Sequence, residues 1–386
     1  MIGASIAYQL SRRGVSVLVL DKEGLAAGAS GANCGLVLWS DAEPGISAAL
    51  AREGAVRVSR LAEELDFDLE YRPATGFAPV TTDEEERAFR ADCDRLSYLG
   101  FPARMLEVDE VRRREPHVRL GPEVRSVLCT EEGVLNPFRL VLGYWRQARR
   151  WGAVLAAGVT VQGFAVAGDR IRSVLTSRGE ITAGEVVLAA GAWTRALAAQ
   201  LGLDLPEYYI QAEALVTEPV PPLLHGFLHQ GDLRRIAGEA RVGRVALETG
   251  WESYNRCLFE GFDFCAVQTG NGNLLIGQMT YIHPCLRAEV SLPLFRHAAR
   301  ETMRMLPQLR DSAVLRAWRS PVPFTPDHLP LLGRVGSWRN LTVASGFKST
   351  IIVTPRVGES LAELITEGRS SLDLSPFDPL RFCGHR

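Results

Sequence analysis

Residues 3–21 read GASIAYQLSRRGVSVLVLD. Ala4, Ala7, Tyr8 and Leu10 fall where they can line one side of a helix. Gly14 stops that helix, and Val15 to Leu20 form a mostly apolar run of strand length ending in Asp21. Helix, tight turn, buried strand and terminal acid make the second half of a βαβ dinucleotide unit. There the acid hydrogen-bonds a ribose hydroxyl, and the last glycine of G-x-G-x-x-G lets the helix pack closely on the first strand. Gly3 stands 18 residues before Asp21, close to the ~20 of that pattern. An ordinary amphipathic helix followed by a surface aspartate is the alternative for the same residues. The pattern's first strand and first two glycines are not in the chain. A central parallel strand covers apolar neighbours and pairs their backbone groups. The expectation is therefore that Met1 is not the natural start, that upstream codons encode an apolar strand and Gly-x-Gly, and that the chain as given holds a dinucleotide weakly.

Directly after the strand, residues 28–35 read GASGANCG. A run this small and polar cannot form a core. It can bring backbone N–H groups and the Ser30 hydroxyl close to a phosphate or ring system, or it is a flexible loop. Further on, Ile171 to Thr176 and Glu180 to Thr182 flank Ser177-Arg178-Gly179 and predict a hairpin. Val186 to Leu188 predicts a buried strand entering Ala189-Ala190-Gly191-Ala192-Trp193-Thr194. Leu341 to Ala344 predicts a short strand leading into Ser345-Gly346-Phe347-Lys348-Ser349-Thr350. After Pro355 the spacing of Leu361, Leu364 and Ile365 predicts an amphipathic helix closed by Gly368.

Length and composition bound the rest. A chain of 386 residues suggests two or three domains at about 100–200 residues each. With 46% hydrophobic and 23% charged residues, it has the makeup of a globular protein and not of a disordered or collagen-like one. A net charge of −2 leaves no basic excess for a phosphate backbone, so nucleic acid is not an expected partner. The basic runs Arg112-Arg113-Arg114 and Arg146 to Arg150 read as solvated helix faces. No apolar stretch reaches the ~18–20 residues of a spanning helix, and the N-terminus lacks the order of a secretory signal. Seven scattered cysteines without C-x-x-C argue for reduced thiols and a cytoplasmic location. The seven histidines include one H-x-x-x-H pair, His225 and His229, in a strand-like run and no H-E-x-x-H, so no metal is expected.

Taken together, these segments resemble the FAD-dependent D-amino-acid oxidase superfamily, closest to glycine oxidase, sarcosine oxidase beta subunits, and hydroxyproline or opine dehydrogenase subunits. The resemblance runs through IGASIAYQL…VLVLD, GASGANCG, EEGVLNPFRL at 131–140, VVLAAGAWT at 186–194 and ALVTEP at 214–219. It continues through NLLIGQ at 273–278, TPDHLPLLG at 325–333 and NLTVASGF at 340–347. It implies an α/β (α+β overall) chain in which a Rossmann-like FAD-binding domain (residues 1–75, 140–205 and 320–386) is interleaved with an antiparallel-sheet substrate domain (76–139 and 206–319).

The resemblance also implies roles. Gly3, Asp21, Lys22, Ser30, Asn33, Gly35, Val161, Ala190, Gly191, Trp193, Gly346, Phe347 and Lys348 would bind FAD. Asp21 would take the ribose, and Val161, in a Val159-Thr160-Val161 strand, would meet the adenine. Gly346 to Thr350 would approach the flavin's pyrimidine edge, with Lys348 and Thr350 as catalytic candidates. A lysine in a polar loop is otherwise a solvated charge, and the resemblance favours a site role for Lys348; whether it faces cofactor or a substrate carboxylate is open from sequence. The implied activity is oxidation of a C–N bond in an amine or a secondary amino acid such as sarcosine, a proline derivative or an opine. The alternatives are oxidation of a hydroxy acid, or a non-catalytic subunit of a flavoprotein complex. Partner subunits belong to the same resemblance.

One position departs from the family. Several of its members carry, shortly before TPD, an arginine that clamps the substrate carboxylate. The matching residue here is Val322, and Arg319 stands three residues away. A carboxylate would then need another cation, such as Lys348, Arg241, Arg244 or Arg256, or the substrate is not a simple amino acid. His283, His328, Tyr254 and Tyr281 are pocket candidates or structural residues on equal terms.

Overall fold

The computed structural model describes residues 1–230, 260–282 and 291–383, with Gly238, Arg241 and Leu286. Its first half runs α1 (Ile2–Arg12), β1 (Leu18–Asp21), α2 (Ala29–Ala32), β2 (Leu36–Val37), α3 (Ile46–Glu64), β3 (Arg72–Val80), α4 (Asp83–Tyr98), β4 (Ala103–Leu106), α5 (Val108–Arg114), β5 (Ser126–Val134), α6 (Pro137–Arg150), β6 (Val154–Ala157), β7 (Val161–Ala167), β8 (Arg170–Thr176), β9 (Gly179–Thr182) and β10 (Val186–Leu188). Then follow α7 (Thr194–Ala199), β11 (Tyr208–Pro219), β12 (Phe227–Gln230), β13 (Glu260–Gln268), β14 (Asn273–Ile282), α8 (Leu292–Met305), β15 (Val314–Phe324), β16 (Leu331–Arg334), β17 (Leu341–Ser345) and α9 (Thr350–Glu367).

The predicted helix and strand at the start are present, with two differences. The helix is buried nearly all round: Ile2, Ala4 to Ser11 are shielded by α6 and α9. Its small polar residues allow this, since the Ser5 hydroxyl donates to the Thr354 carbonyl at 2.9 Å and the Ser11 hydroxyl to the Tyr8 carbonyl at 3.1 Å. The strand is shorter than its apolar run, because ladder pairing with β6 begins only at Leu18↔Val154 and ends at Asp21↔Ala157.

Parallel pairing recurs where β10 lies on β17, which in turn carries antiparallel β16. Among the described strands β1 and β10 are not hydrogen-bonded to each other. A cavity runs between them, and Leu18 is 43% exposed as a consequence. The predicted hairpin is β8–β9, joined by β7. Val161 opens β7, and Val159 and Thr160 lie outside any strand because the Val159 amide turns to the Asp21 carbonyl.

A larger sheet runs in the order β15-β11-β14-β13-β12-β3-β5-β2, with β4 also on β5. Its pairs are antiparallel except β12 on β3. One face packs on α8, burying Leu215, Ile276, Met279, Phe295 and Ala298. The other face turns toward the cavity.

The last helix begins at Thr350, five residues before Pro355, and so carries that proline inside. A proline there forfeits a backbone donor. Burial of Ile351, Ile352 and Val353 in the main core compensates by keeping the first turn helical. Gly368 closes the helix in the left-handed conformation, as its position predicts. The basic runs are helix faces: Arg112 pairs with Asp109 at 2.9 Å, Arg114 with Glu110 at 2.7 Å, and Arg150 with Asp66 at 3.1 Å. Among the described residues no helix is long and apolar enough to cross a membrane.

Candidate active site

One cavity of about 1820 Å³ extends from the end of β1 to the inner face of the large sheet. Ordinary small-molecule pockets hold about 300–1,000 Å³, so a dinucleotide and a small substrate have room together. Asp21, Lys22 and Val161 border it at the end of β1 and the start of β7, Gly3, Ser30 and Asn33 in or beside α1 and α2, Ala190, Gly191 and Trp193 after β10, and Gly346 to Thr350 at the head of α9. Gly35 is not on its wall. There a Cβ would lie 2.0 Å from the Leu135 carbonyl oxygen, and the Leu135 amide donates to the Gly35 carbonyl at 2.9 Å. Close backbone approach accounts for this glycine.

The wall residues are held by local chemistry. One Asp21 oxygen accepts from the Glu23 and Gly24 amides, both at 2.9 Å, which tightens the turn and fixes the carboxylate. The Lys22 ammonium lies 3.4 Å from the centre of the Trp193 ring, a cation–π contact joining the β1 and β10 ends. Asn33 donates to the Ser30 carbonyl at 2.8 Å and accepts from the Gly35 amide at 2.9 Å, so its side chain is used in shaping the loop. The Ser30 hydroxyl accepts from the Met1 amine at 2.8 Å. Lys348 lines the cavity, and the adjoining Ser349, in left-handed backbone, donates its hydroxyl to Asp41 across the wall.

The inner face of the large sheet brings in residues that the sequence did not single out. Cavity-facing His229 stands opposite Cys265, Cys265 opposite Gly277, Gly277 opposite Ala214 and Ala214 opposite Trp318, one row across four strand boundaries. Trp318 donates to the Ala32 carbonyl at 2.9 Å and ties the row to the glycine-rich loop. Arg319 borders the cavity, but its register partner is buried Glu213. Strand alternation sends its side chain to the face opposite Trp318. Tyr281 is structural, donating to Glu213 at 3.2 Å. His328 packs edge-on to Phe324 and is not on the cavity wall. Arg241 is exposed, and Arg244, Arg256, Tyr254 and His283 lie outside the described residues. Among the described residues no group of three or more His, Cys, Asp or Glu could hold a metal.

Two carboxyls behind the wall are fully buried. Burial pushes Glu132 up to about 7 against hydrogen bonds from Ser40 and the Trp39 amide. It pushes Glu207 up to about 7 as well, opposed by the Ser345 hydroxyl and the Arg195 guanidinium. From an ordinary 4.5 up to about 7, the folded chain keeps protons that the unfolded chain has released. Stability must therefore fall as pH rises through this window. Each pKa unit carries about 1.4 kcal/mol, so each group contributes roughly 3 kcal/mol to the fall. Glu207→Gln keeps the shape and removes the titration. Urea unfolding of this variant is expected to lose roughly 2–3 kcal/mol less than the parent between pH 5 and 8. Identical slopes would remove Glu207 as a source.

A parallel-strand end, a glycine-rich turn and an overlying antiparallel sheet, all opening on one long cavity, define an enzyme of the two-part nucleotide-cofactor class. The chain belongs to the DAO family of FAD dependent oxidoreductases, which it matches over residues 1–364. It is 25% identical over 387 residues to the mitochondrial dimethylglycine dehydrogenase of Rattus norvegicus, covering 99% of this chain and 44% of that protein. Like the mouse and human forms, that relative is more than twice as long as the part this chain spans. Sarcosine oxidase subunit beta of an Arthrobacter species is 26% identical over 403 residues, covering 99% of this chain and 89% of the relative. The solved glycine oxidase of Geobacillus kaustophilus has the same fold, with a TM-score of 0.83 at 23% identity over 98% of this chain and 96% of that one.

The family is FAD-dependent, and the cavity fits that cofactor. The cavity volume of about 1820 Å³ is ample, and a Cβ at Gly191 would meet no atom within 4 Å. Asp21, Lys22, Val161, Gly191, Trp193 and Gly346 to Thr350 are among the residues on the cavity wall.

Proposed function

We propose that this chain oxidises the C–N bond of an amine or a secondary amino acid, of which sarcosine, proline derivatives and opines are candidates. The observation that carries this reading is the single cavity shared by the candidate FAD residues and the inner face of the large sheet. FAD, when bound, supplies the acceptor for the hydride leaving the carbon next to nitrogen.

The chain's own residues bind, orient and exclude water. In this reading Asp21 and Lys22 hold the adenosine half, and residues 1–75, 140–205 and 320–386 form the cofactor portion. Residues 76–139 and 206–319 cover the substrate. Lys348 and Thr350, at the head of α9, provide a cation and a hydroxyl donor where negative charge accumulates during the reaction. The reading extends to a cytoplasmic location, supported by the free thiols of Cys34, Cys93, Cys129, Cys265 and Cys383. It extends also to partner subunits, supported by the likeness to sarcosine oxidase subunit beta.

The test is a visible spectrum followed by anaerobic titration with amines, amino acids and hydroxy acids. Flavin bands near one equivalent, bleached by an amine or amino acid and not by a hydroxy acid, are expected. Bleaching by hydroxy acids alone would replace the proposed reaction, and bound flavin that nothing bleaches would make the chain a non-catalytic subunit.

A further inference from the structure

Resting on the proposed amine oxidation, we infer that His229 touches the substrate and holds its nitrogen through a neutral imidazole. His229 lies on β12, in the middle of the large sheet, with its side chain on the face that borders the cavity. Its ring packs on Phe227 at 5.7 Å between centres, which fixes the plane of the imidazole. The Nε2 atom is buried and has no hydrogen-bond partner among the described residues.

A buried polar nitrogen without a partner costs roughly 1–3 kcal/mol. That cost is removed when a ligand supplies the missing hydrogen bond. The neighbours in its row cannot supply it. Cys265 is only a weak thiol partner, and Gly277 and Ala214 carry no polar side chain.

Charge in the cavity fits a nitrogen ligand. Asp41 borders the same cavity, and its field reaches His229. Burial outweighs that field and pushes the imidazole down to about 4, so it is uncharged at neutral pH. A neutral imidazole accepts one hydrogen bond from an amine N–H, and the nearby carboxylate favours a substrate that arrives protonated. A protonated histidine in that place would repel the same substrate.

The test is anaerobic stopped-flow bleaching of the holoprotein with sarcosine and with N-methylpropylamine, comparing the parent with His229→Phe and His229→Gln. Phenylalanine keeps a ring on Phe227 and deletes the acceptor, and glutamine restores an acceptor on a flexible stem. His229→Phe is expected to raise the apparent dissociation constant of both substrates about 10-fold or more, the worth of one hydrogen bond left unmade in a buried site. The limiting rate should fall less, and His229→Gln should recover part of the loss. FAD content should match the parent and the thermal midpoint of His229→Phe should not fall below it, because the orphaned nitrogen is gone, whereas loss of a structural residue would lower it. Unchanged dissociation constants in His229→Phe, with the parent bleached normally, would overturn the inference and leave the proposed reaction standing. If neither those two nor any other amine or amino acid bleaches the parent, the proposed reaction fails and this inference falls with it.

Discussion

Lys348→Met is expected to slow the bleaching of bound flavin by roughly 10²–10³ at saturating substrate, the usual loss when one preorganised donor to a developing negative charge is removed. The residue lines the cavity at the head of α9, between buried Phe347 and Ser349, whose hydroxyl is anchored on Asp41. That anchoring holds the loop without Lys348, so methionine, which keeps the length of the stem, should leave the wall in place. FAD retention is expected to change by less than threefold, because most of the candidate contacts lie toward Asp21, Lys22 and Trp193. Lysine brings a point charge with three donors, not a planar fork, so Lys348→Arg should not restore the rate fully. Stopped-flow measurements across substrate concentration separate the outcomes. A raised dissociation constant confined to carboxylate substrates would make Lys348 the carboxylate clamp. An unchanged rate with an unchanged dissociation constant would make it a surface charge.

The elements whose stability is local were legible in the sequence. The helix of residues 2–12, the hairpin β8–β9, the strand β10 and the glycine stop at 368 follow from spacing and turn chemistry within a few residues of one another. What was not legible depends on distant partners. The start of α9 before Pro355 is set by a core to which α1, α3 and α6 contribute, and no window of sequence around Pro355 contains that core. His229 looks like any histidine in a short apolar run. Its place on the cavity wall comes from register with Cys265 on the next strand. A partial signal existed, since Phe227 and His229 alternate with Leu228, but period two alone does not say which face is wet. Glu132 and Glu207 gave no signal at all, because burial of a carboxyl is a property of what covers it.

The family resemblance names residues and not their contacts. It drew attention to GASGANCG, yet Asn33 and Gly35 in that run are engaged with the protein's own backbone. The same small residues that admit a ligand also admit a close-packed neighbour, and spacing cannot tell the two apart.

That ambiguity is sharpest where α9 crosses α1, and there the packing reading makes the larger prediction for stability. At Gly358 an added Cβ would lie 2.1 Å from the Ser5 hydroxyl oxygen and 2.9 Å from the Ser5 carbonyl carbon. The hydroxyl cannot simply swing away, because it donates to the Thr354 carbonyl one turn earlier and both groups are buried. Gly358→Val would overpack the crossing, at about 1–3 kcal/mol, and strand the serine hydroxyl, at about 1–3 kcal/mol more. The helix-propensity gain over glycine is under about 1 kcal/mol and does not offset this. A net loss of roughly 3–5 kcal/mol in urea unfolding is expected. Gly336→Ala, where no atom lies within 4 Å of the added carbon, should change stability by less than ~1 kcal/mol. Removing the serine oxygen first tests the mechanism: in a Ser5→Ala background the cost of Gly358→Ala should shrink, since the closest clash is gone. Equal costs in both backgrounds would assign the loss to something other than this crossing. The effect should also reach the site, because Met1, Gly3 and Ala4 at the start of α1 border the cavity. A helix pushed off α9 moves that wall, so FAD retention is expected to fall in Gly358→Val even under conditions where the chain stays folded.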